Sequence, residues 1–154
     1  MNVFITGLFA AVSTTAPFTV KSVTANGNAC GSAQVTAELT ADGSHLTVSA
    51  PDLAFEVAAP KKLGRGTCQA LVEITHADNL SAEIGAAKLT TSGEGTASVT
   101  VYEQGSDGAK TRCAAATTLI VKAAFLLKQP GKLAATSAIT LPLKWGDCVK
   151  TTHN

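Results

Sequence analysis

Gln34-Val35-Thr36-Ala37-Glu38-Leu39-Thr40-Ala41-Asp42-Gly43-Ser44-His45-Leu46-Thr47-Val48-Ser49-Ala50 is two alternating runs joined by Asp-Gly. Side chains of an extended chain point alternately to opposite faces, so Val35, Ala37 and Leu39 share one face of the first run. Asp-Gly supplies the turn conformation a tight hairpin demands, and alternation resumes at Leu46 and Val48. The stretch predicts an antiparallel β-hairpin.

The same pattern recurs on both sides. Phe18 to Thr24 is β-rich and is broken by Asn26-Gly27-Asn28. Leu53 to Ala58 reads as a short strand stopped by Pro60 and the basic loop Lys61-Lys62-Leu63-Gly64-Arg65-Gly66. Cys68 to His76 reads as a central strand, Ser81 to Leu89 as another, and Thr96 to Tyr102 as a third. Thr117 to Leu127 admits strand or helix, since Thr117-Thr118-Leu119-Ile120-Val121 is β-branched while the following Ala and Leu suit a helix; its surroundings favour strand. Ala138 to Leu141 is the last strand. An all-β fold is expected: an antiparallel sandwich of about eight or nine short strands, with turn signals between them.

The chain has 154 residues, enough for one domain with its own core. Ala and Thr supply 27 and 21 of them, which implies a thin core leaning on Val, Leu, Ile and Phe. Net charge is +1, against a dedicated polyanion binder, nucleic acid included. Residues 1–107 carry 5 basic and 10 acidic side chains, whereas residues 108–154 carry 7 basic and 1 acidic. Lys122, Lys128, Lys132 and Lys144 would decorate solvent faces or block sheet edges; the alternative is a surface that faces an anion or polysaccharide.

Cys30, Cys68, Cys113 and Cys148 are widely spaced. Structural zinc sites draw ligands from close Cys pairs, and none is present. Two disulfides are expected. Three connectivities exist; Cys30–Cys68 with Cys113–Cys148 is preferred because it ties each half to itself. Export fits the N-terminus. Val3 to Val12 is an uncharged apolar run, and Thr14 and Ala16 suit the small-residue positions of a signal-peptide cleavage site. Residues 1–16 are thus expected to be a signal peptide, with a first strand retained in the mature protein as the alternative. Residues 17–150 then form one β-sandwich domain and 151–154 a short tail. The run is too short to span a bilayer, and no other segment is apolar enough.

Val20-Lys21-Ser22-Val23-Thr24-Ala25-Asn26-Gly27-Asn28-Ala29-Cys30-Gly31-Ser32-Ala33 resembles the opening of a group of small secreted proteins called domain of unknown function four-three-six-zero. Gly66-Thr67-Cys68-Gln69-Ala70-Leu71-Val72 resembles that group's Gln-led central strand. Leu143-Lys144-Trp145-Gly146-Asp147-Cys148 is similar to its terminal Trp and Cys motif. The likeness covers roughly residues 17–150, is faint around Ile84-Gly85-Ala86-Ala87, and offers no counterpart for Cys113. It implies secretion and a β-sandwich, and it brings no assigned activity.

The residues offer little chemistry. His45 and His76 sit at strand margins and are expected to be exposed, and His153 lies in the tail. A glycosidase needs two facing carboxylates; Glu38, Asp42, Glu73 and Asp78 read as scattered acids. Gly64-Arg65-Gly66 and Gly93-Glu94-Gly95 read as turn glycines rather than phosphate loops. Trp145, close to Cys148, reads as core packing near a disulfide, and Tyr102 is the other polar-tipped ring. Asn79-Leu80-Ser81 is an N-glycosylation sequon. No catalytic residue, cofactor or metal ligand is expected. The reading is a secreted, non-enzymatic domain acting by surface contact at a cell wall, matrix or host interface, with a wall or matrix polysaccharide or a surface protein as partner. The alternatives are a self-assembling structural subunit and a carboxylate-dependent hydrolase.

Overall fold

The computed structural model describes residues 18–106, 108–135 and 138–148. Ten strands follow in order: β1 (Thr19–Asn26), β2 (Thr36–Leu39), β3 (His45–Ser49), β4 (Ala54–Val57), β5 (Gly64–Ile84), β6 (Thr91–Gly93), β7 (Thr96–Glu103), β8 (Ala114–Leu127), β9 (Gly131–Ala135) and β10 (Ala138–Asp147). All pairings between them are antiparallel. The all-β class is as expected, and the 117–127 segment is strand throughout. The 34–50 hairpin forms with Ala37 opposite Val48 and Leu39 opposite Leu46.

The large sheet runs β2-β3-β10-β5-β8-β7, with β1 also paired to β5. Two strands change partners along their length. β5 lies between β1 and β8 as far as Thr75; its register then shifts before Leu80, and Leu80–Ile84 pairs with Leu143–Asp147 of β10. The other half of β10, Ala138–Pro142, pairs with β3. Such shared strands turn the corner between the two layers and bring the sheet close to a barrel. The expected separate strand over Ser81–Leu89 is therefore the continuation of the central strand, and it ends at Ile84. The small sheet β4-β9-β6 closes one end; its β6 and β9 have no counterpart among the expected strands.

Alternation decides the core. Cys68, Ala70, Val72 and Ile74 of β5 face inward beside Leu119, Val121, Ala123, Phe125 and Leu127 of β8. Leu46, Val48, Ile139 and Leu141 cover them from the other layer, and Leu133 from the small sheet. Phe125 is the largest fully buried side chain among the described residues, so aliphatic residues and Ala carry most of the packing. Burying each Val, Leu or Ile contributes roughly 1.5–3 kcal/mol.

Disulfides join Cys30 to Cys68 and Cys113 to Cys148, with Cα atoms 4.8 Å and 6.1 Å apart. The first pins the β1–β2 connection to β5; the second ties the start of β8 to the end of β10. Each closes a loop worth about 4 kcal/mol in the chain-entropy model. Two such bonds belong to an oxidising, extracellular-type compartment. Among the described residues no helix is long and apolar enough to cross a membrane.

Candidate contact surface

The acidic first part of the chain and the basic last part do not form separate lobes. β10 lies between β3 and β5, β8 between β5 and β7, and β9 between β4 and β6. Charge gathers instead at one end of the molecule. Gly64 pairs with Leu127 and Arg65 with Leu126, which sets the Lys61-Lys62 loop beside Lys128. Val57 pairs with Gly131 and Glu56 with Lys132, which adds a fifth cation to that end. Glu56 and Glu94 are its acids. Like-signed residues far apart in the sequence thus share one end through strand pairing.

Leu63 stands in the middle of this basic stretch and is 58% exposed, the one large hydrophobic residue that is fully on the surface among those described. Below it an open groove of about 600 Å³ runs past Asn28, Phe55, Val57, Pro60, Lys61 and Arg65. Phe55 forms the groove's apolar wall because β5 begins with two glycines. A Cβ on Gly66 would overlap the Phe55 ring, and one on Gly64 would come within 3.2 Å of it. Gly64 and Gly66 are therefore strand glycines that seat a ring, correcting their reading as turn glycines. Gly93 and Gly95, at φ 112° and 119°, do serve the β6–β7 turn. Arg65 also borders a second depression of about 330 Å³ on the outer sheet face, shared with Thr67, Thr96, Ser98, Ala124 and Leu126. A cationic rim, one exposed apolar side chain and a shallow sheet face of mostly small side chains suit an extended ligand better than a small enclosed one.

The other singled-out residues lie elsewhere. Glu38 is exposed on β2. Glu73, on β5, accepts from Ser22 Oγ at 3.2 Å and pairs with Lys21 Nζ at 3.5 Å. Asp42 caps the β2–β3 turn, accepting from Ser44 Oγ at 2.7 Å, Thr40 Oγ1 at 2.8 Å and Ser44 N–H at 3.0 Å. These donors, the Ser44 hydroxyl foremost, lower the Asp42 pKa to about 2. Ser44 Oγ also lies 3.0 Å from Nδ1 of exposed His45, so an Asp, a Ser and a His meet in one turn, a cluster the sequence reading did not single out. The order is wrong for nucleophilic catalysis: the hydroxyl donates its hydrogen bond to the carboxylate, and among the described residues no acid orients the imidazole.

His76 overturns an expectation. It is 9% exposed, not a surface residue. Its Nδ1 is 2.8 Å from the Ala77 carbonyl, which only accepts, so that nitrogen carries the proton. Nε2 then accepts from the Thr117 hydroxyl at 2.8 Å. The ring packs 4.7 Å from Trp145, which in turn lies 5.0 Å from Phe18. Trp145 Nε1–H donates to the Gly43 carbonyl at 2.8 Å, fastening the hairpin turn to this aromatic cluster. Trp145 is a packing residue, as read.

Asn79 and Asp78 lie within β5, but their side chains are outside the described residues, as are the 1–16 segment and His153. Among the described residues no group of three or more His, Cys, Asp or Glu could hold a metal. No protein-family model matches this chain, and no curated protein matches it either.

Proposed function

We propose that this chain is an exported, non-enzymatic β-sandwich that acts by surface contact at a cell wall or matrix, and that its basic end holds an acidic polysaccharide. One observation carries the reading: Leu63, exposed over an open groove, stands among Lys61, Lys62 and Arg65, with Lys128 and Lys132 brought to the same end by pairing. Carboxylated or sulfated sugars present anionic groups at intervals along an apolar backbone of ring C–H groups. Separate cations around an apolar side chain complement that pattern, and Arg65 adds a planar fork for a carboxylate or sulfate. Each exposed ion pair contributes little, so affinity comes from several pairs and is screened by salt. Export is supported by the two disulfides and by the apolar N-terminal run. The resemblance to secreted proteins around Cys30 and Cys68 points the same way.

Retention on immobilised polygalacturonate and heparin, with neutral dextran and duplex DNA as controls, tests the proposal. The protein should be retained by the acidic polysaccharides at low salt, and Lys61→Glu with Arg65→Glu should elute at clearly lower salt. Equal retention of wild type and variant, or stronger binding to DNA than to either polysaccharide, would contradict it.

A further inference from the structure

Sheet edges offer unpaired backbone groups, and proteins protect them with charge, bulges or shortness. Most edges here are protected in that way. β1 carries Lys21 and an irregularity between Val20 and Ser22. β2 and β4 have four residues each and carry Glu38 and Glu56, and β6 has three residues. β7 is different. Its eight residues, Thr96-Ala97-Ser98-Val99-Thr100-Val101-Tyr102-Glu103, pair with β8 in unbroken register. Its one charge, Glu103, is 3% exposed and turned in to accept from Arg112 N–H and Nε–H at 2.9 and 3.0 Å.

The backbone direction follows from one hydrogen bond. Gln104 N–H donates to the Thr118 carbonyl at 2.8 Å, so even-numbered residues of this strand address β8. Ala97, Val99 and Val101 therefore aim N–H and C=O away from it. Among the described residues no strand lies on that side.

We propose that β7 pairs antiparallel with β7 of a second copy of this chain, about a two-fold axis at Val99. In that register Ala97 faces the partner's Val101 on the inner side. Ser98 faces the partner's Thr100 and Thr96 faces the partner's Tyr102 on the outer side. No like charges meet, and about six backbone hydrogen bonds form. A slip by one residue would set inner against outer side chains, so the strand's own alternation excludes odd slips, and centring on Val99 keeps the most outward backbone groups paired. The exposed outer side chains Thr96, Ser98 and Thr100 carry no charge, so the strand matches itself about the axis without needing a partner of opposite charge. The large sheet then runs unbroken across the axis.

Sedimentation velocity over a concentration series of the full protein tests this. Wild type should sediment as a dimer at high concentration. Ser98→Lys with Thr100→Lys sets cations opposite each other twice across the axis, and should weaken dimerisation about tenfold or more. Ser98→Lys with Thr100→Glu sets opposite charges there instead and should dimerise like wild type. Val99→Pro, which removes an outward N–H that β8 does not use, should give monomer with an unchanged far-ultraviolet spectrum. A wild type that stays monomeric throughout, or a dimer indifferent to the lysine pair, overturns the proposal.

Discussion

Replacing Thr117 by Val keeps the shape of a side chain that is 1% exposed and deletes the hydroxyl that donates to His76 Nε2. The ring nitrogen is left in a nearly dry site with no donor. A lost hydrogen bond of this kind costs about 1 kcal/mol, and an unsatisfied buried group about 1–3 kcal/mol. The added methyl recovers part of that, so the expected loss is about 1–2 kcal/mol. For a chain of this size it lowers Tm by roughly 2–8 °C. His76→Phe keeps the ring against Trp145 and strands the Thr117 hydroxyl instead, with a similar cost. The double variant strands neither group of the pair, so the two losses should fall short of additive by about 1 kcal/mol. Urea unfolding followed by fluorescence reads this directly, since Trp145 is the single tryptophan and its ring lies 4.7 Å from that of His76. All three variants should keep their retention on acidic polysaccharide. Losses that add within about 0.3 kcal/mol, or binding lost along with His76, would refute the structural role assigned to it.

Further expectations concern other parts of the fold. The folded Asp42 pKa of about 2 lies below its ordinary 3.8, so its hydrogen bonds stabilise the turn above pH 3.8 and are lost as pH falls through about 2; Asp42→Asn should flatten the acid limb of the stability curve between those values, and an unchanged limb would contradict the assignment. Gly66→Ala should unseat Phe55, costing about 1–3 kcal/mol as an overpacked site and weakening polysaccharide retention, whereas a neutral result would mean that the groove wall does not depend on that glycine. Replacing Cys30 and Cys68 together by Ser should cost about 2–5 kcal/mol, measured by urea unfolding against the disulfide-intact protein; a loss below 1 kcal/mol would show that the loop is held without the bond.

Legibility followed the range of the interactions involved. The 34–50 hairpin could be read because alternation and Asp-Gly act within a few residues, and β8 because Thr117 to Val121 is β-branched and its neighbours are all strands. The continuity of β5 could not, since the register shift between Thr75 and Leu80 resets the alternation that marks one strand. β6 and β9 were hidden for a different reason: both are short, and pairing in the small sheet makes them strands. His76 looked like a surface residue because its partner, Thr117, lies 41 positions away. The basic end was equally hidden. Lys61, Lys62 and Arg65 belong to the acidic part of the chain, and only the pairing of β5 with β8 and of β4 with β9 sets them beside Lys128 and Lys132.

An amide-shift titration of the isotope-labelled protein with oligogalacturonate locates the bound ligand. Saturable shifts are expected at Lys61–Arg65, at Lys128 and Lys132, and at Thr96 and Thr67 beside Arg65, all fading as salt is raised. Shifts centred on the Asp42 turn or on the exposed β2–β3 face, or none at all at saturating ligand and low salt, would contradict binding at the basic end.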